Sequence, residues 1–203
     1  MIGVIDYKAG NAPSVLNALR HLEIPAEYVS TREQLSKAKA LVLPGVGSAA
    51  ATMRSLDDLN LLGELERLVM REGLPFLGIC VGLQIIFDYS EEGGVDCLGW
   101  IPGRVRRFPE EKVRVPQMGW NRVEFTGGTR EPAHFYFVNS YYAEPEDTAV
   151  IAATAGYGVN FCAMVRHENI SATQFHLEKS GEAGLKLLKE LIQNKGDVGV
   201  ELF

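Results

Sequence analysis

The sequence predicts one α/β domain, built in three layers as a central mixed, mainly parallel sheet flanked by helices. Three observations lead to that reading. Short β-branched runs alternate with helical stretches through the first half, and strand–helix alternation of this kind builds a parallel sheet covered on both faces. The second half turns to closely spaced strand-like runs, the mark of hairpins and a mixed sheet edge. A chain of 203 residues, 46% hydrophobic and 23% charged, supplies one sizeable core and carries no repeat, low-complexity tract or linker that would divide it.

In chain order, residues 1–6 read as the opening strand. Residues 11–23 follow as a helix because Val15, Leu16, Leu19 and Leu22 share one face. Residues 26–30 and 40–43 read as strands. Residues 59–71 form a second amphipathic helix, with Leu61, Leu62, Leu65, Leu68 and Val69 on one side. The apolar run 74–79 is the next strand, and a helical run 83–89 comes after it. Strands are then expected at 105–108, 120–125, 135–140, 149–154, 161–165 and 171–175. Residues 181–194 close as an amphipathic helix with Leu185, Leu188, Leu191 and Ile192 inward, leaving 195–203 as a tail whose order the pattern does not specify.

Charge and cysteine usage narrow the function classes. Twenty basic against 26 acidic side chains give a net charge of −6, which offers no overall field for nucleic acid. The densest basic cluster is Arg104, Arg106 and Arg107, with Arg114 nearby. No apolar run approaches the roughly 20 residues that span a bilayer, and the first residues lack a signal-peptide pattern. A cytoplasmic protein without nucleic-acid or membrane partners is therefore expected. Cys80, Cys97 and Cys162 form no CxxC pair, so neither a disulfide framework nor a zinc site is suggested.

Gly78-Ile79-Cys80-Val81-Gly82 follows an apolar strand and opens a helical run. In such an elbow the nucleophile sits on a strained turn, and the flanking glycines let the backbone bend and approach substrate closely. A helix N-terminus beside the sulfur favours thiolate, which an ordinary thiol with a pKa of about 8.5 reaches only slightly at neutral pH. The competing reading of any lone cysteine is a buried core residue; the two glycines and the strand-to-helix context favour the nucleophile.

A cysteine nucleophile needs a base. Of His21, His134, His167 and His176, the last stands at a strand end in Gln174-Phe175-His176-Leu177-Glu178. In an extended segment residues i and i+2 point to one side, so Glu178 can orient the imidazole that His176 offers to Cys80. His21 reads as a helix-surface residue and His134 as a loop residue. His167-Glu168 does not begin H-E-x-x-H, because Ser171 occupies the last position.

The turn Pro44-Gly45-Val46-Gly47-Ser48-Ala49-Ala50 supports two readings. Gly45, Gly47 and Ala50 imitate a dinucleotide fingerprint, although the turn follows a third strand and no strand-end acid lies about 20 residues on. Alternatively, the Gly45 and Val46 amides lie across a crevice and help to hold an oxyanion.

The elbow with Leu83 and Gln84, the Pro44–Gly47 turn, and Gln174-Phe175-His176-Leu177-Glu178-Lys179-Ser180 together resemble the triad-type (class I) glutamine amidotransferases. Asp6-Tyr7-Lys8-Ala9-Gly10-Asn11, Pro116-Gln117-Met118-Gly119-Trp120-Asn121 and Tyr136-Phe137-Val138-Asn139-Ser140-Tyr141 are similar to segments of the glutaminase subunits of imidazole glycerol phosphate synthases. The resemblance runs from residue 1 to about 194. It implies a flavodoxin-like fold and glutamine hydrolysis through a glutamyl thioester, with the ammonia passed to a (β/α)8-barrel cyclase subunit of a heterodimer in histidine biosynthesis. It implies Cys80, His176 and Glu178 as the triad, and Val81 with Gly45 and Val46 around the oxyanion. Gln84, Ser140 and Tyr141 match glutamine-holding positions, while Asn11, Trp120, Tyr136 and Lys179 match positions near the cyclase interface. No metal or organic cofactor is implied.

Some positions depart from the family pattern. Leu177 stands where proline is usual, Lys8 where glycine is usual and Asn139 where histidine is also common, and Ser48-Ala49 replaces a bulkier pair. None removes a triad member. Two alternatives remain at this stage: the glutaminase of another amidotransferase, serving pyridoxal phosphate, anthranilate or guanylate synthesis, and a non-catalytic nucleotide-binding module built on the Gly45 turn.

Overall fold

A computed structural model describes residues 1–8, 11–128 and 130–193; Ala9 and Gly10 of the first motif, Asn194 and the expected tail 195–203 lie outside the described residues. The first half is a run of parallel strands and helices: β1 (Ile2–Ile5), α1 (Ala12–His21), β2 (Ala26–Val29), α2 (Arg32–Ser36), β3 (Ala40–Leu43), α3 (Ala49–Asp58), α4 (Leu62–Glu66), β4 (Phe76–Ile79) and α5 (Val81–Gln84). The second half is mostly strand: β5 (Tyr89–Ser90), β6 (Val95–Asp96), β7 (Gly103–Arg107), β8 (Gln117–Phe125), β9 (Ala133–Asn139), β10 (Tyr141–Pro145), β11 (Ile151–Tyr157), β12 (Val159–His167) and β13 (Ile170–Thr173), before α6 (Gly181–Gln193).

Among the described residues the strands join in one sheet, ordered β2-β1-β3-β4-β13-β12-β10-β7-β5-β6, with β11, β8 and β9 branching from β12. From β2 to β13 neighbouring strands are parallel, in registers such as Ile2↔Ala40, Leu41↔Phe76 and Phe76↔Ile170. Every residue of β1, β3 and β4 is buried, which is why these strands read as unbroken apolar runs and not as alternating ones. The edge strand β2 instead exposes Glu27 and Tyr28. Beyond β13 the pairing is mostly antiparallel, β5 beside β7 being parallel, as the change in sequence texture predicts.

The helices cover this sheet with their apolar stripes. In α1, Val15, Leu16 and Leu19 are buried, and a proline occupies the first turn, where its missing N–H costs nothing. Ser48 caps α3 by accepting from the Ala51 N–H at 3.2 Å. The expected helix 59–71 starts only at Leu62, and its last turn widens to π geometry over Arg67–Arg71, with the Glu72 N–H reaching the Arg67 carbonyl. In α6 the deepest side chains are Leu187 and Leu188, while Leu185, Leu191 and Ile192 are half-buried against the core.

The helix expected at 83–89 is cut short. It ends at Gln84 because the next carbonyls, of Ile85, Ile86 and Phe87, accept from the N–H groups of Leu98, Trp100, Ile101 and Gly99 in the following loop. Tyr89 and Ser90 then pair in the sheet with β6 and β7. Helices α2 and α3 and strand β6 are also additions to the expected elements, as is β10, whose Glu144 and Pro145 gave it no strand signature; it is held by five register pairs to β7.

Packing is tight where β4 turns into α5. A Cβ on Gly82 would stand 2.3 Å from the Leu43 carbonyl oxygen, and one on Gly78 would stand 2.4 Å from the Gly82 carbonyl oxygen. Only backbone fits there, so α5 is clamped against the end of β3. Gly82→Ala is expected to lower the unfolding free energy by about 1–3 kcal/mol in urea denaturation. Gly63→Ala, on a helical site with nothing within 4 Å of the added carbon, should instead be neutral or stabilising by up to about 1 kcal/mol.

Candidate active site

Strand β4 delivers Cys80 to the carboxyl end of the sheet, where parallel folds collect their ligands. Cys80 has φ 55° and ψ −105° at the N-terminus of α5, a backbone region costly for a residue with a side chain. Its surroundings hold it there. The Cys80 N–H donates to the Thr173 carbonyl at 2.7 Å, and the Cys80 carbonyl accepts from the N–H groups of Leu83 and Gln84. The residue is buried. Its Sγ lies 3.8 Å from the Val138 carbonyl oxygen and accepts from Gln174 Nε2 at 3.6 Å.

Just beyond β13, the His176 N–H donates to the Tyr136 carbonyl, and the His176 carbonyl accepts from Ser180 Oγ. These bonds fix the ring in the crevice. Its Nδ1 is 2.9 Å from Glu178 Oε1, and the carboxylate side chain is only 1% exposed. The pairing matches the sequence expectation, but its cause differs. Residues Leu177–Lys179 form a 3₁₀ turn, not an extended strand, so it is a tightened backbone that brings Glu178 round to the imidazole. Leu177 fills the core at the family's proline position and is fully buried. Glu178 Oε1 also accepts from Asn11 Nδ2 at 3.0 Å, and Asn11 Oδ1 accepts from Ser14 Oγ. Asn11 therefore gives α1 no side-chain cap to a backbone N–H, because its oxygen is taken by the Ser14 hydroxyl while its nitrogen serves the carboxylate.

Burial alone would strip the proton from His176, yet hydrogen bonds and charge from Cys80 and Glu178 outweigh it and raise the imidazole to about 10. For Glu178, burial pushes the carboxyl up; the hydrogen bond and charge of His176, its own backbone N–H and Asn11 reverse that and hold it below the ordinary range. The site thus favours an imidazolium–carboxylate pair. At Cys97 and Cys162 burial, joined at Cys97 by Asp96, pushes each thiol up to about 12, away from the nucleophilic thiolate form.

Cys80 and His176 open on a cavity of about 280 Å³. It is lined by the expected Gly45, Val46, Val81, Gln84, Ser140, Tyr141 and Lys179, together with Glu92, Pro116, Val138 and Asn139. Glu92 was missed by sequence reasoning, since Glu91-Glu92 reads as a solvated loop. Burial raises its carboxyl, against the Ala49 N–H and the charge of Arg107. Buried Gln84 donates through Nε2 to the Tyr141 carbonyl and to Gln174 Oε1, while its own Oε1 and Asn139 Oδ1 are buried acceptors with no partner among the described residues.

The two readings of the glycine turn now separate. A Cβ on Gly45 would lie 2.6 Å from the Val81 nitrogen, so the turn is a wall of the cysteine crevice. The N–H groups at the start of α3 are also occupied, Ala49 by Glu92 and Ala51 by Ser48. A carboxylate therefore stands where a dinucleotide's phosphates would need those donors. The Tyr7 hydroxyl, fully buried, donates to the Pro44 carbonyl at 2.9 Å and ties the turn to the end of β1.

On the surface beside the crevice, Trp120 is 57% exposed and meets Tyr136 edge-on at 6.1 Å, with Met118 exposed nearby on β8. Lys179 is exposed at the cavity rim. The structure does not bring the other histidines to the site: His21 is exposed at the end of α1, His167 ends β12, and exposed His134 lies on β9, not in the expected loop, because the strand begins directly after Pro132. Among the described residues no three His, Cys, Asp or Glu side chains converge as a metal site, and no helix is long and apolar enough to cross a membrane.

The glutamine amidotransferase class-I family matches residues 3–194. The imidazole glycerol phosphate synthase subunit HisH of Herpetosiphon aurantiacus is 45% identical over 199 residues, covering 95% of this chain and 94% of that protein. The HisH subunit of Methanothermobacter thermautotrophicus is also 45% identical, covering 95% and 98%. Among solved structures, a glutamine amidotransferase superposes with a TM-score of 0.76 at 23% identity, covering 94% of this chain and 97% of the other. PurLQS from Thermotoga maritima does so with a TM-score of 0.73 at 18% identity, covering 94% and 96%; both likenesses concern the fold. With its elbow, its triad geometry and these relatives along nearly its whole length, the chain belongs to the class-I glutamine amidotransferases, in the branch of the imidazole glycerol phosphate synthase HisH subunits.

Proposed function

We propose that this chain hydrolyses glutamine to glutamate and ammonia through a thioester on Cys80, and passes the ammonia to a (β/α)8-barrel cyclase subunit in histidine biosynthesis. The observation that carries the chemistry is the buried Cys80, His176 and Glu178 constellation opening on one amino-acid-sized cavity.

In the first half-reaction the thiol's proton passes to His176, giving the imidazolium that the site favours, and Sγ attacks the side-chain amide carbon. The carbon–nitrogen bond then breaks, and His176 returns the proton to the leaving ammonia. Water, deprotonated by His176, attacks the thioester; glutamate leaves and the thiol recovers its proton. Glu178 keeps Nδ1 protonated and the ring aimed, so that the opposite nitrogen faces the sulfur. The Val81 N–H at the start of α5, with an amide of the Gly45–Val46 turn packed against it, would stabilise the oxyanion. No step calls for a metal or cofactor.

Glutamine binding follows from what lines the cavity. Gln84 Oε1 is an unpaired acceptor that a substrate N–H can satisfy, and Glu92 is a half-buried carboxylate suited to the α-ammonium. Ser140 and Tyr141 form the opposite wall, where Arg107 donates to the Tyr141 hydroxyl and lies over its ring. Trp120, Tyr136, Lys179 and Asn11 belong to the face we assign to the cyclase. Exposed aromatics of this kind suit an interface core, and a sealed contact would keep ammonia from solvent. Such a subunit works in the cytoplasm, without nucleic acid or membrane.

With a barrel cyclase subunit carrying its ligand, the chain should release glutamate from glutamine, and Cys80→Ala should reduce kcat by at least about a thousandfold; equal turnover by both would refute the assignment. The titration offers a second check. Because Cys80 helps to raise His176 toward about 10, Cys80→Ala should move the imidazole midpoint down, read from ring resonances by NMR. An unchanged or higher midpoint would contradict the coupling.

A further inference from the structure

We infer that Gln174 is a further catalytic residue: its side-chain N–H is a donor aimed at the Cys80 sulfur, favouring the thiolate, and its carboxamide links that sulfur to Gln84 in the glutamine cavity. The inference rests on the reading of Cys80 as nucleophile and deepens it.

Gln174 is fully buried at the end of β13, with its backbone N–H held by the Ala163 carbonyl at 2.8 Å. Its Nε2 stands 3.6 Å from Sγ, and its Oε1 accepts from Gln84 Nε2 at 3.1 Å. The direction of this chain is set by its far end. Gln84 Nε2 also donates to the Tyr141 carbonyl at 3.2 Å, so the nitrogen of Gln84 must face that side; reversing it would set its oxygen against two other oxygens. Gln84 therefore offers an N–H to Gln174, which must answer with its oxygen, and this turns the Gln174 nitrogen toward the sulfur.

A buried amide N–H is costly unless it is well bonded. A neutral thiol is a weak acceptor and a thiolate is a strong one, so this N–H is best satisfied when Cys80 is ionised. The opposing group is the Val138 carbonyl, 3.8 Å from Sγ, which can only accept and so favours the protonated sulfur. Gln174 and Val138 thus pull the proton equilibrium in opposite directions, with His176 as the proton's destination. The strand end after β13 supplies three contacts to one nucleophile: the Thr173 carbonyl to the Cys80 N–H, the Gln174 amide to the sulfur and the imidazole of His176.

The test is alkylation of Cys80 by iodoacetamide across pH in the full chain, with the labelled peptide identified by mass. Gln174→Glu keeps an oxygen for Gln84 and removes the donor; Gln174→Leu removes both. Each should alkylate about tenfold more slowly at neutral pH, with the deficit closing as pH rises and thiolate forms without help. Wild-type rates at every pH would overturn the inference, and so would a slowdown independent of pH, which signals packing damage only. A second measurement needs no change at Gln174. In the wild-type chain its side-chain ¹⁵N resonance should shift when Cys80 is alkylated, and a resonance that does not respond overturns the proposal even where the variants fail to fold. Turnover by Cys80→Ala equal to wild type would instead remove the nucleophile reading itself; an inactive Cys80→Ala with unaltered Gln174 profiles removes this inference alone.

Discussion

The backbone hydrogen bond from Cys80 to the Thr173 carbonyl, 2.7 Å long, joins two requirements that would otherwise conflict. A cysteine at φ 55° is locally unfavourable, so the conformation persists only if neighbouring structure imposes it. Strand β13 does so because it pairs in parallel with β4 along Phe76–Ile79, which carries its end past the elbow. Gly82 and Gly78 complete the clamp by letting backbone touch backbone where any side chain would collide. The nucleophile is therefore aimed by the sheet. The residues that serve it come from the strand that holds it.

Electrostatics depends on the same placement. Burial works against the charge of both side chains; Cys80 first and then Glu178 keep His176 protonated, and His176 chiefly keeps Glu178 ionised. Asn11 adds a donor to the carboxylate from the N-terminus of α1.

The sheet, the elbow and the nearness of Glu178 to His176 were legible in the sequence because each rests on local pattern, whereas the meeting of Cys80 with His176 comes from the long-range pairing of β4 with β13. Apolar runs marked β1, β3 and β4, and two glycines around Cys80 marked the turn. The reach of Glu178 to His176 was foreseen on spacing, but for an extended strand; the 3₁₀ turn at Leu177 depends on Ser180 and Tyr136 closing the loop through hydrogen bonds from another strand. The end of α5 at Gln84 was hidden for the same kind of reason, since a loop more than ten residues away takes its carbonyls. Glu92, in the turn between β5 and β6, could not be read as a cavity residue because its partner, the Ala49 N–H, lies 43 residues away at the start of α3. What short-range periodicity cannot report is which distant backbone group a residue will meet.

In the proposed reaction Cys80, and no other thiol, carries the glutamyl group during turnover. The most direct measurement is mass spectrometry of protein mixed with glutamine, with its cyclase partner present, and quenched in acid during steady state. A glutamyl adduct is expected on the peptide containing Cys80, absent from Cys80→Ala and absent from the peptides of Cys97 and Cys162. Turnover with no adduct on Cys80 when the quench is shown to preserve thioesters, or an adduct on either of the other cysteines, would contradict it.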